Sequence, residues 1–251
     1  MELVVITGAS SGVGAATARA VAETGAQVVL VARNAEALRR IAGQIGKAAV
    51  VEPCDASNWQ AVDRMAGDVF DNYGTPDVVI NCAGAGQWKT LPDTSAEEAA
   101  TMMGAPYFAA LHTTKAFLPS MLEKGRGTFL HVNSPACIAP WPSSVGYAAA
   151  RAALRGFHAA LSQDLHGAGL HSCHVIFGKI SSEYFDHNPG VAERMPGLDR
   201  ILPTLTPEAC AARLVRLARQ PRYEAVYPVM LRLLLSSGAL APPLMRWLAR
   251  I

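Results

Sequence analysis

Leu3-Val-Val-Ile6 runs directly into Thr7-Gly8-Ala-Ser-Ser-Gly12-Val-Gly14, and Ala15 to Glu23 then reads as a helix. Strand, glycine turn and helix make the first half of a βαβ unit, and Val28-Val-Leu-Val31 supplies a second strand at the expected distance. Glycines let the backbone turn tightly and approach a pyrophosphate, while the free N–H groups and positive end of the following helix attract its charge. Gly8, Ser10, Ser11, Gly12, Val13 and Gly14 are therefore candidate phosphate-binding residues. The spacing is Gly-x-x-x-Gly-x-Gly, which differs from the commoner dinucleotide fingerprint.

The next residues choose between dinucleotides. Ala32-Arg33-Asn34 follows the second strand, where an acid would bind a ribose 2′-hydroxyl and a guanidinium favours a 2′-phosphate. Arg33 therefore points to NADP(H), and Ala32 supplies no competing acid. The bland alternative is a solvated arginine at the start of a helix over about Ala35–Ile45.

A second constellation lies further along. Ser134 ends the strand Thr128-Phe-Leu-His-Val132, and Tyr147-Ala-Ala-Ala-Arg151 opens a helix that continues to about Leu165. On a helix Arg151 sits one turn beyond Tyr147 on the same face. A permanent cation favours the ionised form of a neighbouring phenol, and a serine hydroxyl can hydrogen-bond a reacting oxygen.

The chain has 251 residues, 51% of them hydrophobic and 17% charged, with a formal net charge of +2. That composition supports a large core in a single domain and gives no polyelectrolyte character, so nucleic acid is not an expected partner. Cys54, Cys82, Cys137, Cys173 and Cys210 are odd in number and scattered without metal-ligand spacing, which indicates reduced thiols in a cytoplasmic protein and no metal site. The N-terminus reads as a buried strand and not as a signal peptide. Arg232, Pro242, Pro243 and Arg246 interrupt the apolar stretch Val226–Leu248, which argues against a spanning helix and leaves room for peripheral membrane contact.

The sequence resembles the short-chain dehydrogenase/reductase family. The resemblance rests on the Thr-Gly-x-x-x-Gly-x-Gly loop at residues 7–14, on Asn81-Cys82-Ala83-Gly84, and on a serine thirteen residues before the tyrosine. It runs to about Tyr227. The resemblance implies an α/β, Rossmann-like doubly wound sheet of seven parallel strands in three layers. It also implies carbonyl–alcohol interconversion by hydride transfer, with Tyr147 as general acid/base, Ser134 orienting the oxygen and Arg151 in the family's lysine position. Cofactor contacts carried over with it are Asp55 to the adenine, Asn81, Ala83 and Gly84 in a turn that supports the central sheet and approaches the ribose, Tyr147 and Arg151 at the nicotinamide ribose, and Gly178, Ile180 and Ser182 near the nicotinamide. A homodimer or homotetramer through helices near 107–122 and 148–165 follows from the resemblance too.

Two positions depart from the family pattern. Arg151 keeps the charge and the donors of the usual lysine, but a guanidinium does not readily give up and regain a proton. Pro106 falls where relatives place an asparagine that holds a kink and a water of the proton relay. Proline should keep a kink, because it lacks an N–H and clashes with the carbonyl four residues earlier, but it cannot replace the amide. An alternative is therefore an NADP(H)-binding protein with little or no turnover, a sensor or partner subunit. Residues 183–205, rich in proline and glycine, read as a substrate cover, and Trp88, Trp141, Tyr184 and Phe185 suggest an apolar substrate. The tail from about residue 229 to 251 is apolar with arginines, and packing over the pocket or against a subunit is its favoured role.

Overall fold

Apolar runs that end in glycine or polar turns form the strands β1 (Leu3–Thr7), β2 (Gln27–Ala32), β3 (Ala49–Pro53), β4 (Val78–Asn81), β5 (Gly127–Asn133), β6 (Leu170–Phe177) and β7 (Glu224–Tyr227). The computed structural model describes residues 1–181 and 202–240, with side chains to Leu235. All seven strands pair in parallel in the order β3-β2-β1-β4-β5-β6-β7. The chain is a Rossmann-like α/β fold, as expected. Ser182, Tyr184 and Phe185, most of the expected substrate cover, and the end of the tail (residues 241–251) lie outside the described residues.

The helices are α1 (Gly12–Ala22), α2 (Ala35–Ile45), α3 (Trp59–Tyr73), α4 (Ala96–Met103), α5 (Ala109–Lys124), α6 (Val145–Asp164), α7 (Pro207–Arg219) and α8 (Val229–Leu240). Strand alternation sorts them into two layers. Val4 and Ile6 point to the face packed by α1, α2 and α7 through Ala18, Leu38 and Leu214. Leu3 and Val5 point to the face packed by α3, α5 and α6 through Val69, Phe117 and Leu161. Because buried strands must be apolar on both faces, β1 and β2 read as nearly unbroken aliphatic runs.

Chain order reverses between the neighbours β1 and β4, so the loops leaving their carboxyl ends diverge and open a crevice. Loops after β2, β3, β5 and β6 extend that crevice to both sides. Pro106 sits, buried, in a single π-helical turn, Gly104–Phe108, which joins α4 to α5; the Ala109 N–H donates to the Gly104 carbonyl. The wider turn accommodates a residue that cannot donate, and the expected distortion is present without a break in the helical path. Leu231 and Leu235 of α8 are buried, and they line the crevice together with Leu234. The first part of the tail therefore packs over the pocket.

Candidate active site

The glycine loop closes on its own backbone. A Cβ at Gly14 would stand 2.1 Å from the Gly8 carbonyl oxygen, so the start of α1 can approach the end of β1 only without a side chain. Gly8 itself has φ +68°, the left-handed region. The Thr7 hydroxyl accepts the Ala83 N–H at 3.2 Å, tying this loop to the turn after β4. Ser11 makes no side-chain cap and the first turn of α1 carries no acid, so no side chain there competes with an anion for the free N–H groups.

Arg33 projects, exposed, from the loop after β2, while Asn34 caps α2 by accepting the Ala37 N–H at 3.0 Å. Capping therefore does not occupy Arg33. Asp55 follows β3, and its carboxylate accepts the Ser57 N–H at 3.0 Å and the Ser57 hydroxyl at 2.7 Å. Burial raises this carboxyl, but the two Ser57 hydrogen bonds and the Arg33 charge outweigh it and hold it below the usual range. Asn58 is the cap of α3.

Ser134 directly follows β5 and caps a short 3-10 turn, Pro135–Cys137, by accepting the Ala136 N–H at 3.3 Å. Tyr147 and Arg151 share the buried face of α6 with Leu154 and Leu161. The guanidinium carbon lies 5.0 Å from the centre of the Tyr147 ring, and Nη1 donates to the Val132 carbonyl at 3.3 Å. Gly84 and Gly86 cross directly over this pair. A Cβ would stand 2.6 Å from Arg151 Nη2 in the first case and 2.5 Å from Tyr147 Cδ2 in the second. Asn133 braces the floor, donating from Nδ2 to the Arg151 carbonyl at 3.0 Å and accepting the Ser134 N–H on Oδ1 at 2.8 Å.

Trp88 and Trp141 stand beside the tyrosine, with ring centres 4.7 Å apart and 6.1 and 6.2 Å from Tyr147. They make one wall apolar. Cys82 is a packed thiol, pushed up to about 12 by burial and then by Cys210.

One cleft of about 1030 Å³ joins these parts. Gly8, Ser10 to Gly14, Arg33, Asp55, Ala83, Gly84, Ser134, Tyr147, Arg151, Gly178 and Ile180 all line it. Its size and its sequence of surfaces suit a dinucleotide: a polar end with an exposed guanidinium, a side-chain-free loop at a helix N-terminus, and a tyrosine–cation end. Asn81 is placed differently. Its side chain is buried behind the cleft, against His131 Nδ1 at 3.2 Å and Thr114 Oγ1 at 3.4 Å, and supports the sheet. The sequence reading missed the roles of Asn133 and Gly86; the adjacency of Asn133 to Ser134 was the available signal.

Fold and cleft together define a dinucleotide-binding α/β protein. Residues 2–188 match the short chain dehydrogenase family, and the chain belongs to that family of oxidoreductases. It is 30% identical over 181 residues to an uncharacterised oxidoreductase of Staphylococcus epidermidis, covering 72% of this chain and 79% of the relative. A short-chain dehydrogenase from Streptomyces avermitilis has a similar structure, with TM-score 0.83, 26% identity and coverage of 98% of this chain and 96% of that one. An alcohol dehydrogenase from the archaeon Thermococcus sibiricus, complexed with 5-hydroxy-NADP, gives TM-score 0.76 and 27% identity over 90% of this chain and 95% of that one.

Proposed function

We propose that this protein is an NADP(H)-dependent oxidoreductase that interconverts an apolar carbonyl compound and its alcohol. The observation that carries the proposal is the single cleft, with Arg33 and the glycine loop at one end and Ser134, Tyr147 and Arg151 at the other. When bound, the cofactor supplies a hydride to the carbonyl carbon. Gly8 to Gly14 would hold the pyrophosphate on backbone N–H groups, and Arg33 would meet the 2′-phosphate. The Ser134 hydroxyl, already accepting from Ala136, keeps its hydrogen for the carbonyl oxygen. Tyr147 would give that oxygen its proton, and the Arg151 charge supports the phenolate left behind. Trp88 and Trp141 favour a substrate with an apolar or flat flank. The alcohol dehydrogenase neighbour bound to an NADP derivative supports the cofactor class. A single-domain, cytoplasmic homo-oligomer completes the proposal; among the described residues no helix is long and apolar enough to cross a membrane.

A second reading, cofactor binding with little turnover, is favoured by the tethered Arg151 guanidinium and the proline in the distorted turn, which would both alter the proton return to Tyr147 that the resemblance implies. NADPH consumption measured against a panel of ketones and quinones separates the two. Oxidation of NADPH with any of them supports the catalyst. Tight NADPH binding with no oxidation across the panel favours the binding protein.

A further inference from the structure

Behind Tyr147 and Arg151, between α6 and strands β5 and β6, three histidines occupy positions that an aliphatic layer would ordinarily fill. His131, His158 and His174 are 0%, 1% and 0% exposed. The rings of His158 and His174 stack with centres 5.3 Å apart, and His131 lies 6.1 Å from His158. Burial, followed by the neighbouring histidines, holds His131 down at about 3 and His158 at about 4, so both are neutral core rings. His158 is hydrogen-bonded to Ser172 at 2.8 Å.

His174 is the member that reaches the site. Its Nε2 lies 2.8 Å from Asn133 Nδ2 and its Nδ1 lies 3.0 Å from Glu224 Oε2 across the β6–β7 register. Two other bonds orient the Asn133 amide, because Oδ1 faces the Ser134 N–H and Nδ2 faces the Arg151 carbonyl. An amide so placed can be turned only one way. Its Nδ2 therefore presents hydrogen to His174 Nε2, which must accept through its lone pair. The imidazole hydrogen then sits on Nδ1 and donates to the Glu224 carboxylate, whose pKa this contact holds below the usual carboxylate range.

We propose that Glu224, His174 and Asn133 form a positioning chain for the reaction: the carboxylate selects the imidazole tautomer, the imidazole holds the second amide hydrogen, and the amide braces Ser134 against the helix turn carrying Tyr147 and Arg151. The proposal rests on the carbonyl–alcohol reading above. Ser134 and Tyr147 arrive on different elements, and Asn133 ties the strand end to the helix backbone at Arg151. A misplacement of about 1 Å between reacting groups can cost about 100-fold in rate. Loss of the His174 acceptor leaves the second Asn133 amide hydrogen buried without a partner and loosens the brace on Ser134, so catalysis suffers while the cofactor contacts at the glycine loop and Arg33 remain.

The test compares His174→Phe, which keeps a ring without an acceptor, with His174→Gln, whose amide oxygen can stand near the Nε2 position. Nitrogen-15 NMR of the full chain with NADPH is expected to show His174 protonated on Nδ1 only, and the Ser134 amide resonance is expected to move in His174→Phe and return in His174→Gln. With a carbonyl substrate, His174→Phe is expected to lower kcat about 10- to 100-fold, with the KM and the NADPH dissociation constant within about 2-fold; His174→Gln should recover most of that loss. A proton on Nε2, an unmoved Ser134 amide, or a wild-type kcat in His174→Phe would each overturn the chain. If the wild-type protein reduces no carbonyl, the proposed function fails, and the NMR comparison still decides the bracing geometry. Should His174→Phe not fold, Glu224→Ala changes only a half-buried surface side chain. It is expected to populate the Nε2-protonated tautomer and move the Ser134 amide; an unchanged tautomer and resonance would overturn the proposal equally.

Discussion

The Arg151 guanidinium is packed 5.0 Å from the centre of the Tyr147 ring and is held there by the Val132 carbonyl below and Gly84 above. A cation fixed by a backbone acceptor can stabilise a phenolate and contact a ribose, yet it keeps its own proton. Binding and chemistry at this end of the cleft can therefore be separated by substitution.

Removing the Tyr147 hydroxyl removes the proposed proton donor and leaves the aromatic wall. Tyr147→Phe is expected to lower kcat by about 100- to 10,000-fold, with NADPH affinity little changed. Steady-state kinetics beside a fluorescence titration of NADPH checks both halves, and retention of wild-type turnover would remove Tyr147 from the mechanism.

Restoring a titratable amine addresses the proton supply. Arg151→Lys is expected to raise kcat severalfold, while lost packing on Tyr147 and the lost Val132 contact cost about 1 kcal/mol of stability. Turnover and thermal unfolding measured on one preparation test this, and unchanged or lower turnover would count against proton return as the slow step.

Arg33 is exposed and is not used as a helix cap, so apart from its charge on Asp55 its loss should be felt by the cofactor. Arg33→Ala is expected to weaken NADPH binding about 10- to 100-fold, the loss of one charge-assisted contact, and to leave NADH binding unchanged. Parallel titrations with the two cofactors decide it; an equal loss for both would place Arg33 away from the 2′-phosphate.

Gly14→Ala forces a methyl against the Gly8 carbonyl, a backbone atom that cannot swing aside. Loss of NADPH affinity of at least about 10-fold is expected together with a lowered Tm, since strain at a fixed backbone approach costs on the order of 1–3 kcal/mol. Calorimetry and cofactor titration give the two readings. Wild-type values in both would mean the loop is looser than its geometry indicates.

Acid stability should depend on Asp77, which accepts the Glu2 N–H and pairs with Lys124 at 2.7 Å, joining the start of β1 to the end of α5. Burial raises this carboxyl, but Lys124, the Glu2 N–H and the N-terminal charge outweigh it, so its folded pKa is depressed. The contribution is therefore complete above the unfolded value of about 3.9 and is lost as pH falls through the folded value. Asp77→Asn is expected to cost about 1–2 kcal/mol near neutrality, and the difference from wild type should shrink below about pH 4. Urea unfolding across that range checks the sign; a gap that widens on acidification would refute it.

The amino-acid order alone was enough for the fold and for much of the cleft. Aliphatic runs at regular spacing, Gly8, Gly12 and Gly14, and the Ser134–Tyr147 interval are local patterns whose meaning comes from backbone geometry within one βαβ unit or one turn. Arg33 and Asp55 were legible for the same reason, as each lies within two residues of the end of a strand whose carboxyl end must face the crevice. Pro106 announced a distortion through its missing N–H, although the π-helical form it takes depends on packing of Gly104–Phe108 against neighbours. Asn81 could not be placed by motif: whether its amide met the cleft or the core was decided by Thr114 and His131, more than thirty residues away. Asn133, His174 and Glu224 were invisible as a unit for the same cause. They lie on three different strands, and only the parallel register of β5, β6 and β7 turns their side chains toward one another. Local periodicity and turn chemistry specify elements and their order; hydrogen-bond partners across the sheet arise from contacts between distant segments, which tertiary packing alone brings within reach.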